Sequence, residues 1–162
     1  MQKTKNPLIF IIEDSVVYKD LIVGHLQSKK YNNLKTFSNA EDCLKEINLK
    51  PDLIVLDYTF EGISGLELMR KVKKELPEVD FIFISGQNDV EVAVNLMKLG
   101  AADYVVKNEK APYQLVKSIE QLLQITKSKK MNKGFQIGVV GFFLMLFLVI
   151  VLIIVIAIVF NL

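Results

Sequence analysis

Residues 51–57 read Pro-Asp-Leu-Ile-Val-Leu-Asp, a short aliphatic run between turn-forming residues and a terminal acid. Because the four aliphatic residues do not alternate with polar ones, the run predicts a strand that is buried on both faces, as in a parallel sheet. Asp57 then lies where the strand opens into its C-terminal loop, at the edge where open α/β sheets bind ligands. A lone acid there more commonly begins a turn or caps the next helix, so both interpretations stay open at this point.

Four further short segments predict strands at residues 8–12, 34–37, 81–84 and 104–106. After each strand, apolar residues recur at helical spacing and predict five helices, the last running to about Lys127. Strands that alternate with helices through short connections indicate an α/β fold with one parallel sheet covered on both faces. The residues expected on buried helix faces include Val17, Leu21, Ile22 and Leu26 in the first helix, Val90, Val94, Met97 and Leu99 in the fourth, and Tyr113 in the fifth.

The composition allows one domain with a full core and an additional segment, since the chain has 162 residues of which 51% are hydrophobic and 23% charged. Every acid and every base precedes residue 135, and residues 135–160 carry no charge. The net charge of +2 is too small to indicate a nucleic-acid-binding surface. We therefore expect no nucleic acid among the partners.

The lone cysteine and the lone histidine predict no separate site. Cys43 excludes an internal disulfide and any site that needs two cysteines, and its place in an amphipathic helical segment predicts a small core residue. His25 has charged neighbours in a helical segment and no converging partners in the sequence, which favours a surface or boundary residue.

Polar residues end four of the five predicted strands, at Glu13 with Asp14, at Asp57, at Ser85 and at Lys107. In a parallel sheet these ends lie on one edge, so three carboxylates, a hydroxyl and an ammonium face one small region. Carboxylates held together repel unless a cation lies among them, and oxygen ligands of this kind suit Mg²⁺. A lysine and a hydroxyl beside such a metal form a pocket for a dianionic phosphoryl group, which predicts phosphoryl transfer to a carboxylate.

On the basis of these residues, the segment from residue 8 to about 127 resembles a receiver domain of bacterial two-component response regulators. Such domains have a CheY-like, flavodoxin-like fold. Each signal alone is weak, and their common order along the chain carries the resemblance. The matching residues are Glu13-Asp14, Asp57, Gly65, Ser85, Gly100-Ala101-Ala102-Asp103-Tyr104 and Lys107.

The resemblance implies a doubly wound sheet with strand order 2-1-3-4-5. It implies that Asp57 is the phosphorylated carboxylate in a phosphorelay. It also implies that Glu13, Asp14, Asp57 and the backbone carbonyl of Thr59 hold Mg²⁺. The phosphoryl donor is then a phosphohistidine on a sensor histidine kinase or a histidine phosphotransfer protein.

The resemblance further implies roles for three residues at the other strand ends. Ser85 would hydrogen-bond the phosphoryl oxygens, and Lys107 would pair with them. Tyr104 matches the family's switch aromatic, whose ring turns inward when Ser85 moves toward the phosphate. The chain would then be no enzyme acting on other substrates, since it would catalyse only its own phosphorylation and dephosphorylation.

Two positions depart from the family pattern. A proline with a cis bond usually follows the lysine, but Asn108 follows Lys107 here, and a cis bond without proline costs ~2.5 to 4 kcal/mol. We therefore expect a trans bond and a differently placed loop. The Met-Pro pair common after the phosphoacceptor is replaced by Phe60-Glu61, and Glu61 adds an acid expected near the metal.

The uncharged residues 135–160 would be about 39 Å long as a helix, against a hydrocarbon thickness near 30 Å. The segment therefore predicts a single transmembrane helix, with a buried or oligomerising soluble helix as the alternative. The expected domains are a receiver at residues 1–128, a basic linker at 129–134 and the span at 135–160. Four lysines precede the span: Lys127, Lys129, Lys130 and Lys133. By the positive-inside rule, we expect the N-terminal end of the span to lie in the cytoplasm.

These observations predict a membrane-anchored, single-domain response regulator that is phosphorylated on Asp57 and signals through protein contacts. Its C-terminal anchor would lie in the bacterial cytoplasmic membrane, with the receiver in the cytoplasm. The alternative is a receiver-like membrane adaptor that is not phosphorylated and recruits a partner. A phosphate sink for a shared kinase would use the same chemistry as the first hypothesis.

Overall fold

The computed structural model describes residues 6–59 and 62–159, and it describes their side chains except at 126–140, 150 and 152–159. A parallel sheet of five strands has the order β2-β1-β3-β4-β5, as the resemblance to receiver domains implied. The strands are β1 (Ile9–Ile12), β2 (Leu34–Phe37), β3 (Leu53–Asp57), β4 (Asp80–Ser85) and β5 (Asp103–Val106). The helices are α1 (Val16–Ser28), α2 (Ala40–Lys45), a 3₁₀ helix (Ile47–Leu49), α3 (Gly65–Glu75), α4 (Val90–Lys98) and α5 (Ala111–Val159).

The central strands are buried on both faces, because helices cover the sheet on each side. Every residue of β1 and β3 is buried, which explains their unbroken aliphatic runs. In the register of these two strands Ile12 pairs with Leu56, so Glu13 follows beside Asp57. The sheet itself therefore brings the first two acidic strand ends together.

Side chains cap the helices that follow the strands. Ser15 accepts a hydrogen bond from the amide of Tyr18 at the start of α1, and Asn39 accepts one from the amide of Asp42 at the start of α2. Each cap satisfies an amide that has no partner inside its helix. Cys43 on α2 is fully buried in the core, as predicted, and burial raises the pKa of its thiol to about 12. His25 on α1 is partly buried, as expected for a boundary residue.

The predicted buried faces of two helices were partly wrong. In α1 Ile22 and Leu26 are buried, but Val17 is 82% exposed and Leu21 is 51% exposed. In α4 the buried residue is Leu96, whereas four residues predicted to be buried in this helix or just after it are exposed: Val90, Val94, Met97 and Leu99. Both helices carry apolar residues on more than one side, so spacing alone cannot select the face that packs on the sheet. In α5 Tyr113 is likewise exposed.

The chain divides into two compact units, Met1–Leu122 and Leu123–Leu162. Helix α5 extends to Val159 instead of ending near Lys127, and lysine is a good helix former. Among the residues described in full, no helix is both long enough and apolar enough to cross a membrane. The predicted span falls partly outside those residues, at 135–140, 150 and 152–160, and stays a prediction.

Gly65 begins α3 where the helix passes close to the sheet. A Cβ atom at this position would lie 2.9 Å from Cδ1 of Leu56 and 2.9 Å from Cε1 of Phe83. Both neighbours are fully buried, so they have no room to move away.

We therefore expect Gly65→Ala to lower the free energy of unfolding by about 1 to 3 kcal/mol, the usual cost of overpacking a core. Denaturant unfolding of the full chain measures this loss. The matched control is Gly24→Ala in α1, where nothing lies within 4 Å of the added Cβ. That variant should gain up to about 1 kcal/mol from lower backbone entropy in the unfolded chain. Equal stability of the two variants would contradict the close approach at Gly65.

Candidate functional site

Three carboxylates meet at the C-terminal ends of β1 and β3. Oxygen atoms of Glu13, Asp14 and Asp57 lie within 4.8 Å of one another. Glu13 is 1% exposed and Asp57 is 3% exposed, whereas Asp14 faces solvent. The predicted acidic group is therefore assembled, with two buried members and one open to the outside.

The ammonium of Lys107 reaches this group from the end of β5. Its Nζ donates to Oδ2 of Asp57 at 2.6 Å and lies 2.8 Å from Oε2 of Glu13. The contact with Glu13 is a buried ion pair, and Oε2 accepts no further hydrogen bond from the described residues. The backbone amide of Lys107 donates to the carbonyl of Ser85 at 2.7 Å, which continues the pairing of β4 with β5.

Burial and charge shift the pKa values of this group in ways that follow from its geometry. Burial raises the pKa of Glu13 above its ordinary value, and the negative charge of Asp57 adds to the rise while Lys107 opposes it. Burial alone would lower the pKa of Lys107, but its hydrogen bond to Asp57 and the two carboxylates outweigh burial and raise it. Lys107 therefore stays protonated at neutral pH.

The second oxygen of Asp57 is held by the next turn. Oδ1 accepts a hydrogen bond from the amide of Thr59 at 3.1 Å and another from its hydroxyl at 3.2 Å. The two carboxylate oxygens of Asp57 thus have different partners, with Oδ2 facing the ammonium. The role of the Thr59 carbonyl as a metal ligand stays a prediction, and Phe60 and Glu61 lie outside the described residues.

Ser85 and Tyr104 are joined through the backbone of Gln87, a connection that the sequence analysis missed. The hydroxyl oxygen of Ser85 accepts a hydrogen bond from the amide of Gln87 at 3.1 Å. The hydroxyl of Tyr104 donates to the carbonyl of the same residue at 2.8 Å. Ser85 is fully buried and Tyr104 is partly buried. Both hydrogen bonds use backbone groups of Gln87, so no side-chain pattern in the sequence signals the connection.

The loop after Lys107 turns without a cis bond, as expected, since the described residues contain no cis peptide. The side chain of Asn108 accepts a hydrogen bond from the amide of Lys110 at 2.8 Å. Its carbonyl accepts another from the amide of Ala111 at 3.0 Å, where α5 begins. Asparagine commonly builds such turns through its side chain, so Asn108 shapes this loop in place of the usual proline.

Tyr18 is a further member of the site that the sequence analysis missed. Nζ of Lys107 lies 4.6 Å from the centre of the Tyr18 ring, within the range of a cation–π contact. Tyr18 lies in the first turn of α1, four residues after Asp14. An aromatic residue one helical turn after the acidic pair was the feature of the sequence that could have predicted this contact.

Comparison with known proteins identifies the family. Residues 9–120 match the family model of the response regulator receiver domain. The chain belongs to this receiver family. It is 33% identical over 130 residues to the putative response regulator NtrX-like of Rickettsia typhi, covering 76% of this chain and 26% of that protein. It is 30% identical over 118 residues to the transcriptional regulatory protein CssR of Bacillus subtilis, covering 72% of this chain and 51% of that protein.

Solved structures agree with the receiver fold. The crystal structure of NtrX from Brucella abortus superposes with a TM-score of 0.71 at 32% identity, over 80% of this chain and 29% of that chain. The signal receiver domain of a putative LuxO repressor protein from Vibrio parahaemolyticus has a TM-score of 0.70 at 24% identity and covers 78% and 96% of the two chains. This receiver spans about a quarter of the length of the NtrX-like relative.

The receiver's acidic group fits a divalent metal ion. Glu13, Asp14 and Asp57 offer one carboxylate oxygen each, which is the ligand type that Mg²⁺ prefers. The buried Oε2 of Glu13 has only the Lys107 ammonium beside it among the described residues, so it can also serve as a ligand for a metal ion. Asp14 is open to solvent, which suits an ion that keeps several of its waters.

We expect the full chain to bind Mg²⁺ and Asp57→Ala to weaken that binding at least about tenfold, a free-energy change near 1.4 kcal/mol. Isothermal titration calorimetry measures both affinities. The matched control is Asp42→Asn, which removes an exposed carboxylate on α2 that pairs with Lys45. Equal affinity in the wild type and in Asp57→Ala would place the metal elsewhere.

The same titration has an expected pH dependence. Metal ligands must be deprotonated, and Glu13 takes up its proton at a higher pH than an ordinary glutamate because burial raises its pKa. Affinity should therefore fall as the pH decreases, and the fall should begin at a higher pH than for an ordinary glutamate ligand. The fall should be shallower in Glu13→Gln, which lacks this titrating group.

Proposed function

We propose that this receiver accepts a phosphoryl group onto Asp57 from a phosphohistidine of a sensor histidine kinase or histidine phosphotransfer protein. The observation that carries the proposal is the 2.6 Å contact between Oδ2 of Asp57 and Nζ of Lys107, inside a group of three carboxylates. A merely structural aspartate would not need this arrangement of charges. The family match at residues 9–120 supports the same role.

In the proposed transfer an oxygen of Asp57 forms a bond to phosphorus while the bond from phosphorus to the histidine nitrogen breaks. The nitrogen keeps the electron pair, and the product is an acyl phosphate. Such a transfer depends on positioning and charge neutralisation more than on acid–base chemistry. When bound to Glu13, Asp14 and Asp57, magnesium supplies positive charge that offsets the phosphoryl oxygens.

Lys107 and Ser85 would hold the new group. Lys107 stays protonated and exchanges its bond to Oδ2 of Asp57 for a phosphoryl oxygen. The hydroxyl oxygen of Ser85 accepts from Gln87, which leaves the Ser85 hydrogen available to donate to the phosphoryl group. Charge-assisted hydrogen bonds of this kind are stronger than neutral ones.

The link through Gln87 gives the proposed switch a physical path. If Ser85 moves toward the phosphoryl group, its bond to the Gln87 amide changes, and the Gln87 carbonyl is the acceptor for Tyr104. Couplings between two such states typically amount to about 1 to 3 kcal/mol. Tyr104 would thus report phosphorylation to the outer surface of the receiver.

The proposed output surface lies along α4, β5 and the first part of α5. A polar groove of about 490 Å³ there is lined by Asp103, Gln114 and Lys117 among others. Beside it α4 exposes an apolar row formed by Val90, Val94 and Met97. A polar groove next to exposed apolar side chains supports output through contact with a protein.

The proposed location is the cytoplasmic membrane, with residues 135–160 as a single span. The segment carries no charge, and lysines precede it on the side expected in the cytoplasm. Every described side chain from Phe142 to Val149 is apolar and exposed, which covers all sides of a helix over two turns. Anchoring would raise the concentration of the receiver near membrane-bound kinases.

We expect the full chain in detergent to gain one phosphoryl group when it is incubated with Mg²⁺ and acetyl phosphate. Mass spectrometry should detect an acid-stable, base-labile adduct that is absent in Asp57→Asn. Lys107→Met should slow the reaction about 10- to 1,000-fold, because one charge-stabilising donor is lost. Asp42→Asn, an exposed acid outside the site, should react like the wild type.

Absence of any adduct in the wild type, or an adduct that persists in Asp57→Asn, would contradict the proposed reaction. The first outcome would favour a membrane adaptor that is not phosphorylated. This alternative is supported by the loop at Asn108, where an asparagine-built turn stands in the place of the proline that is usual in the family.

We also expect the chain to remain in the membrane fraction after alkaline carbonate washing. Leu146→Lys combined with Val149→Lys should release it, because each charge inside the bilayer costs about 2.5 to 3.5 kcal/mol. The matched control places two lysines on the exposed row of α4, as Val90→Lys with Val94→Lys, and should stay in the membrane. Recovery of the wild-type chain in the carbonate supernatant would contradict the anchor.

A further inference from the structure

Tyr18 contacts the ammonium that pairs with the proposed phosphoacceptor. Nζ of Lys107 lies 4.6 Å from the centre of the Tyr18 ring, 2.6 Å from Oδ2 of Asp57 and 2.8 Å from Oε2 of Glu13. Two carboxylates and one aromatic ring therefore surround this ammonium. Tyr18 is itself partly buried, so its ring shields the contact from water.

The segment that carries the acids also places this ring. The amide of Ser15 donates to Oε1 of Glu13 at 3.2 Å, and Oγ of Ser15 accepts from the amide of Tyr18 at 3.4 Å. Ser15 thus joins the buried glutamate to the first turn of α1, where Tyr18 lies. The position of the ring is coupled to the position of the site and does not depend on a distant element.

The ring attracts the ammonium without competing for its proton. Burial raises the pKa of the Tyr18 phenol above its ordinary value, so the side chain stays neutral. The face of an aromatic ring carries negative charge density, which attracts a cation. The ring therefore holds Lys107 without adding a fourth negative charge to the three carboxylates.

We propose that Tyr18 is a positioning residue that holds the Lys107 ammonium beside Asp57 during phosphoryl transfer. The inference rests on the proposed function. During transfer the bond of Lys107 to Asp57 is exchanged for a phosphoryl oxygen, and Glu13 is shared with the proposed metal site. The contact with Tyr18 involves neither change, so it keeps the ammonium in place while its other partners are exchanged.

The test compares Tyr18→Leu and Tyr18→Phe with the wild type, using the full chain in detergent with Mg²⁺ and acetyl phosphate. In the reaction an oxygen of Asp57 bonds to phosphorus, acetate leaves with the electron pair, and Lys107 keeps its proton. Tyr18→Leu should lower the rate constant about 2- to 30-fold, the range that corresponds to a cation–π contact. Tyr18→Phe keeps the ring and should stay within about twofold of the wild type. The matched control is Tyr113→Leu, an exposed tyrosine on α5.

A spectroscopic measurement separates the contact from general packing. Protons of the Lys107 ε-methylene group that lie over a ring shift upfield in NMR spectra. The shift should be present in the wild type and in Tyr18→Phe, and it should be lost in Tyr18→Leu. A leucine variant with the wild-type rate, or a phenylalanine variant as slow as the leucine variant, would overturn the inference while the wild type still reacts. A wild type that gains no phosphoryl group would instead overturn the proposed function, and the positioning role with it.

Discussion

Like-charge repulsion among buried acids is the constraint on which the rest of this receiver depends. Oxygens of Glu13, Asp14 and Asp57 lie within 4.8 Å of one another, and two of these residues are almost fully buried. Two unit charges 4 Å apart interact by about 4 kcal/mol at an effective dielectric constant near 20. Lys107 offsets part of this repulsion through its contacts with Asp57 and Glu13. Burial nevertheless raises the pKa of Glu13, and the charge of Asp57 adds to the rise. The acidic group therefore favours additional positive charge beside it, which a bound divalent metal ion would supply.

The sheet delivers these charges because its strands end in register. Ile12 pairs with Leu56, so the first acids follow beside Asp57, and Ser85 pairs with Val106, so Lys107 follows beside the end of β4. Parallel strands buried on both faces need long aliphatic residues along their length, and polar residues are tolerated where the strands end. Because burial excludes polar residues from the length of these strands, the polar groups lie together at the edge of the sheet where the strands end.

Much of this was predictable, and the failures have physical reasons. Unbroken aliphatic runs mark strands buried on both faces. The acidic group and the approach of Lys107 to Asp57 follow from the alternation of strands and helices, whereas the strand order was implied by the resemblance to receiver domains. Val17 in α1 and Val90 in α4 were assigned to the wrong side because both helices carry apolar residues on several faces, and spacing gives a period without a direction. The contacts of Tyr18 and Gln87 were missed because they are made through a ring face and through backbone groups, which side-chain patterns do not encode.

The loop after Lys107 shows which parts of the site depend on the sheet and which depend on local turns. The amide of Lys107 donates to the carbonyl of Ser85 at 2.7 Å, and its ammonium is held by Glu13 just after β1, by Asp57 in β3 and by Tyr18 in α1. None of these contacts involves Asn108, whose hydrogen bonds are directed forward to the amides of Lys110 and Ala111 at the start of α5. A proline at this position would fix the backbone angle φ directly, whereas asparagine reaches a turn by accepting hydrogen bonds. The ammonium thus keeps its place through the strand and its charged partners, while the course of the chain into α5 is decided independently by the turn.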